Sequence, residues 1–177
     1  SRHYLKLQTQ YAECERKLSA GRKRDHGELA NKILGVGNVI QTEKLSYKAF
    51  QRRYGKSVKQ RAPGMFIDRL NRKAESAGGK LVELNTWSLK MSQYDHVTDS
   101  FSKKPLSQRW HSLGSGSADR LVQRDLYSAF LAQHASGNEH NPSRLSERWA
   151  DAESLLRRAG LCRVESESGT APAVPTV

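Results

Sequence analysis

A strand, a helix and a second strand can be read in succession between residues 38 and 84, and that order limits the architecture more than any other feature of the chain. "NVIQTEKL" has the length and β-branched content of a short strand, and "SYKAFQRRYG" then reads as a helix or an irregular segment. In "RAPGMFIDRLNRKAESAGGKLVEL" the residues Met65, Phe66, Leu70, Ala74 and Ala77 fall near helical spacing, Gly78 and Gly79 end the helix, and Lys80–Leu84 resumes as a strand. Strands joined through a helix pair in parallel, since only a long crossover returns the chain to the same end of the sheet. The expected class is α/β.

On the N-terminal side, Tyr4, Leu7, Tyr11, Cys14 and Leu18 recur at alternating steps of three and four, which predicts an amphipathic helix with one dry face. Leu29, Ile33 and Leu34 continue it or form a second helix closed by Gly35 and Gly37. Residues 85–118 lack sustained periodicity and read as an inserted loop or a very small subdomain. From Arg120, "RLVQRDLYSAFLAQH" predicts a helix with Asp125 in its interior. A further helix is expected over Ser143–Gly160, with Leu145, Trp149, Ala152, Leu155 and Leu156 as its apolar face. The end, "ESESGTAPAVPTV", has the composition of a disordered tail.

Thirty Lys and Arg against eighteen Asp and Glu give a formal charge of +12, which favours polyanionic partners. Fifteen of the basic and only five of the acidic residues lie in residues 1–61, so a polyanion is expected to meet the first third. There Arg52, Arg53, Lys56, Lys59 and Arg61 alternate with Tyr47, Phe50 and Tyr54, which suits a surface that reads a phosphate backbone and stacks bases. A solvated lysine-rich turn explains any one of these residues equally well, but as a group they favour nucleic acid. Arg22, Lys23 and Arg24 form a second, smaller patch. Cys14 and Cys162 share no metal-ligand or redox spacing, and no apolar run approaches a membrane span. A soluble intracellular protein with no membrane partner is the expectation. The chain opens without Met inside a predicted helix, which reads as a fragment.

Glu43 stands alone at the end of the first strand, directly before the basic cluster. Magnesium is held by few carboxylates plus water and phosphate, and two-metal phosphodiester chemistry needs converging acids. Glu43 with Asp125 would meet that need, the bases holding phosphate and the acids the metal. Spacing alone leaves the plainer reading open, in which Glu43 is solvated or ion-paired and Asp125 partners Arg124 or Arg120.

"NVIQTEKLSYKAF", "RAPGMFIDRLNRKAESAGGKLVELNT", "MSQYDHVTD" with "RWH", and "VQRDLYSAFL" together resemble the C-terminal half of TnpB, the OrfB-type proteins of bacterial insertion sequences and relatives of the type V CRISPR effectors. The resemblance runs over residues 1 to about 160. It implies a RuvC nuclease of ribonuclease H-like fold, guided by RNA, cutting DNA with magnesium, and working in DNA recombination and transposition in the prokaryotic cytoplasm near the nucleoid. Glu43 matches the acid of the second catalytic motif and Asp125 that of the third, with Arg124 kept beside it. The implied organisation is a helical arm over 1–35, RuvC-like segments over 36–90 and 119–160, a degenerate zinc-ribbon insertion over 91–118 and a disordered tail over 161–177.

Three departures qualify what the resemblance implies. The first catalytic Asp would lie upstream of Ser1, which leaves enzymatic activity of this chain open. Gln123 and Tyr127 replace an Asp and an Asn of the third motif. "SQYDHVTD" and "HSLGSG" stand where the family has two Cys pairs, so zinc is not expected and residues 91–118 should be loosely ordered. The alternative is a nuclease-inactive or decayed transposase relative that only binds DNA or RNA.

Overall fold

The computed structural model describes residues 1–105, 107–114 and 120–164, and shows a mixed α/β chain that divides into two compact units, Ser1–Glu83 and Leu84–Val177. The last thirteen residues, most of the expected tail, lie outside the described ones.

The first unit opens with α1 (Arg2–Leu34), one unbroken helix that runs through Gly21 and Gly27. It continues with β1 (Val39–Glu43), α2 (Tyr47–Arg61), α3 (Pro63–Ser76) and β2 (Lys80–Leu84). β1 and β2 form a two-stranded sheet, and Asn38 O, just ahead of β1, accepts from Lys80 N at the start of β2. Their leading ends therefore adjoin, which is what the strand–helix–strand order demands. The turn that permits it is built from two glycines. Gly78 sits at φ +71°, where a side chain is strained, and a Cβ on Gly79 would overlap the Asn38 carbonyl. Proline at the first position of α3 is preorganised for a helix, but the preceding Ala62 is left-handed at φ 44°.

α3 packs along α1, burying Ala30, Leu70 and Ala74, with His26 edge-on to Phe66 at 5.4 Å and Lys73 Nζ donating to Asn31 Oδ1 at 2.7 Å. All of these α1 residues lie in its C-terminal half. The expected dry face is corrected here: Tyr4, Leu7, Tyr11, Cys14 and Leu18 are all exposed. The reason is length. A helix of 33 residues spans about 50 Å and the 14 residues of α3 about 21 Å, so α3 covers less than half of it.

The second unit contains α4 (Thr86–Leu89), a hairpin of β3 (Tyr94–Asp95) and β4 (Ser100–Phe101), and an antiparallel sheet ordered β5–β6–β7. In that sheet β5 (Trp110–Leu113) pairs His111 with Val122 of β6 (Arg120–Gln123), and Val122 also faces Cys162 of β7 (Cys162–Val164). The helices α5 (Arg124–His134) and α6 (Pro142–Arg158) pack on it and bury Tyr127, Phe130, Leu131, Leu145 and Trp149.

Three expectations change. "RLVQ" is a strand, so the helix starts at Arg124 and Asp125 lies in its first turn, not its interior. Residues 162–164, at the head of the expected tail, are paired as β7. The loosely ordered insertion expected over 91–118 is corrected among the described residues, where Met91, Tyr94, Asp95, His96, His111 and Leu113 are all buried.

Candidate nucleic-acid interface

α2 begins at Tyr47, four residues after Glu43, and its fifteen residues hold Lys48, Arg52, Arg53, Lys56, Lys59 and Arg61 with no acid. None of its residues is buried. Lys59 reaches Glu15 of α1 at 3.8 Å, a solvent-exposed pair that contributes little. Among the described residues no acid lies within ion-pair distance of Arg52, Arg53, Lys56 or Arg61. At Tyr54 the backbone leaves helical geometry (φ −130°, ψ 34°), so two helical segments meet at a kink. A recess of about 650 Å³ lined by Ala49, Phe50, Arg52, Arg53 and Tyr54 opens there.

The second basic patch divides by role. Arg22 Nη1 donates to the carbonyls of Lys59 and Gln60, and His26 Nε2 to that of Arg61 at 2.9 Å. Both therefore satisfy the orphan carbonyls at the end of α2, where positive charge is also favoured. Arg22 thus fastens α2 to α1. Arg24 faces Asp25 at 3.6 Å and Glu28 at 3.9 Å, and Lys23 is exposed. Arg124 is largely enclosed, with Nη1 donating to Gln108 O at 3.0 Å and its backbone N to Arg109 O at 2.8 Å. It holds the start of α5 against the entry to β5.

The two expected acids fall in different units, each placed by its own sheet. Glu43 is the last residue of β1 and half-buried. Asp125 is exposed on the first turn of α5, where a carboxylate is favoured by the helix dipole. Its oxygens lie 3.3 Å from Arg124 Nε and 3.9 Å from Arg109 Nη1. Gln123 Oε1 accepts from Leu126 N at 2.8 Å, so it caps the start of α5.

In the second unit Asp95 and Gly114 bring two separate stretches together through a carboxylate. Asp95, buried, accepts from Val97 N at 2.9 Å through Oδ1 and from Gly114 N at 2.8 Å through Oδ2. Tyr127 completes the arrangement. Its hydroxyl accepts from His96 N at 3.1 Å and lies within hydrogen-bonding distance of His96 Nδ1 at 2.8 Å, so two bonds tie α5 to one residue. Tyr127 of α5 and His96, just after β3, thus form one buried contact. Lys104 Nζ lies 2.7 Å from Nδ1 of the buried His111, whose ring is 4.7 Å from that of Tyr127. Burial, with the Lys104 ammonium adding to it, pushes the His111 imidazole down to about 4. Burial also lowers His96 and Lys104, each partly offset by Asp95.

Among the described residues no group of three or more His, Cys, Asp or Glu is placed to hold a metal. No helix among them is long and apolar enough to cross a membrane. Comparison with protein-family models, with curated proteins and with solved structures found no match to the chain. Sequence reasoning weighed Asp95, His96 and His111 only as zinc ligands and found them disfavoured; it did not foresee their bonds to Gly114 N, Tyr127 and Lys104.

Proposed function

We propose that the chain is the C-terminal part of a TnpB-like RuvC endonuclease, acting on DNA under RNA guidance, with Glu43 and Asp125 as magnesium ligands and α2 as a phosphate-binding element. The observation that carries the reading is the junction in the first unit: a strand ends on Glu43, and the helix that follows holds six cations and no acid. Phosphodiester chemistry needs cations against the backbone and carboxylates at the metal. The meeting of the two ribbon stretches through Asp95 and Gly114 supports the same reading.

One observation favours the binding-only alternative. Asp125 already faces two guanidinium groups, and a metal would have to displace their attraction. Manganese titration of the isotopically labelled chain with a bound DNA oligonucleotide separates the two. The endonuclease reading predicts paramagnetic broadening of amide signals around Glu43 and around Asp125, removed by Glu43→Gln and by Asp125→Asn respectively. Oligonucleotide binding with no metal-induced broadening at either acid leaves the binding-only reading.

A further inference from the structure

At the kink of α2 two aromatic rings stand open to solvent, Phe50 at 42% and Tyr54 at 54% exposure. Both line the same recess at the kink. The break at Tyr54 lets the recess open between them, with Arg52 and Arg53 on its wall. The recess is open to solvent, as a strand that passes over the surface needs.

The composition of that wall selects the ligand. An aromatic ring exposed to water gains from covering its face with another flat ring, and a guanidinium without an acidic partner gains from a phosphate. Together these groups match one nucleotide unit, a base on a phosphodiester. A duplex keeps its base faces stacked inside and would present only phosphates to α2. An unpaired strand offers both, and stacking is indifferent to which base it receives.

We infer that the recess at the kink of α2 is a nucleobase-stacking site for single-stranded nucleic acid, in which Phe50 and Tyr54 take the base and Arg52 and Arg53 its flanking phosphates. The inference rests on the nucleic-acid reading of this helix and adds the state of the strand and the residues that sense it.

Fluorescence anisotropy with the full chain tests it on three labelled probes of equal charge: an oligothymidylate, its abasic counterpart and a duplex. The chain should bind the oligothymidylate about tenfold more tightly than the abasic strand. Phe50→Ala with Tyr54→Ala should abolish that preference while leaving abasic affinity and the salt dependence unchanged, and Phe50→Trp with Tyr54→Phe should retain it. Arg52→Ala with Arg53→Ala should weaken all three complexes and flatten the single-strand slope of log affinity against log salt by about 0.7 for each charge. Both rings are exposed, so the variants should fold, and circular dichroism checks this. Equal affinity for thymidylate and abasic strands, or a preference that survives loss of both rings, overturns the stacking site and leaves charge-driven binding standing. No binding to any probe overturns both.

Discussion

At the scale of single residues, the second unit is organised by polar groups that have given up water. Asp95 joins two stretches through backbone amides, Tyr127 holds His96, and Lys104 donates to the His111 ring. An imidazole held below its ordinary value is neutral in the folded chain at a pH where the unfolded chain has begun to take up protons. The stability due to a neutral His111 is therefore complete above about pH 6.5 and is lost as the pH falls toward 4, where the folded state also protonates. The upper limit is about 1.4 kcal/mol per pH unit per histidine. Urea unfolding at pH 7 and pH 4.5 should show the second unit distinctly weaker at the lower pH. His111→Leu should lower stability at pH 7 by about 1–2 kcal/mol, because Lys104 loses its acceptor, and should reduce the difference between the two pH values. An unchanged difference in the variant would place the sensitivity elsewhere.

At the scale of elements, α1 shows how far a period can be trusted. The steps between Tyr4 and Leu18 describe a helix correctly but do not determine whether a neighbour is present to dry its face. Ala30, Leu70 and Ala74, which do meet, carry the packing in the first unit. Leu70→Ala should then destabilise the chain by about 2–4 kcal/mol, whereas Leu7→Ser and Leu18→Ser should each change stability by less than about 0.5 kcal/mol, as exposed positions do. Thermal unfolding of the three variants checks this, and comparable losses would mean that the N-terminal half of α1 is covered in solution.

The same contrast runs through what the sequence revealed of the fold. Helices α3, α5 and α6 were legible because their apolar positions repeat locally, and β2 because glycines punctuate it. "RLVQ" was not, because its apolar residues also suit a helix and only pairing with "WHSL" and "CRV" makes it a strand. The ribbon stretch misled for a related reason. Missing thiolates predict a missing metal, but not that His96, His111, Tyr127, Phe130 and Trp149 would pack together from distant parts of the chain. For the candidate site, the clustering of charge on α2 was plain. The internal use of Arg22 and Arg124 was not, since both bond to backbone carbonyls, which no residue pattern reports.

At the scale of the whole molecule, charge is divided unequally. Residues 1–83 hold nineteen basic and eight acidic side chains, and residues 84–177 eleven and ten. A field of one sign over the first unit draws a polyanion to it before any contact forms, and each neutralised phosphate then releases counterions. In the second unit many cations are already engaged: Arg120 and Arg157 share Glu153, Arg124 is bound to Gln108 O, and Arg163 lies over Trp110 at 4.6 Å. Equal changes of charge should therefore have unequal effects. Replacing Arg52 and Arg53 with Glu should lower affinity for a single-stranded oligonucleotide at least tenfold in low salt and flatten its salt dependence. Replacing Arg144 and Arg148 of α6 with Glu removes the same charge from the molecule and should shift affinity less than about threefold, with the slope intact. Both pairs alter net charge identically, so only location can separate them. Equal losses would show that affinity follows total charge, and α2 would then have no claim to be the place where the strand lies.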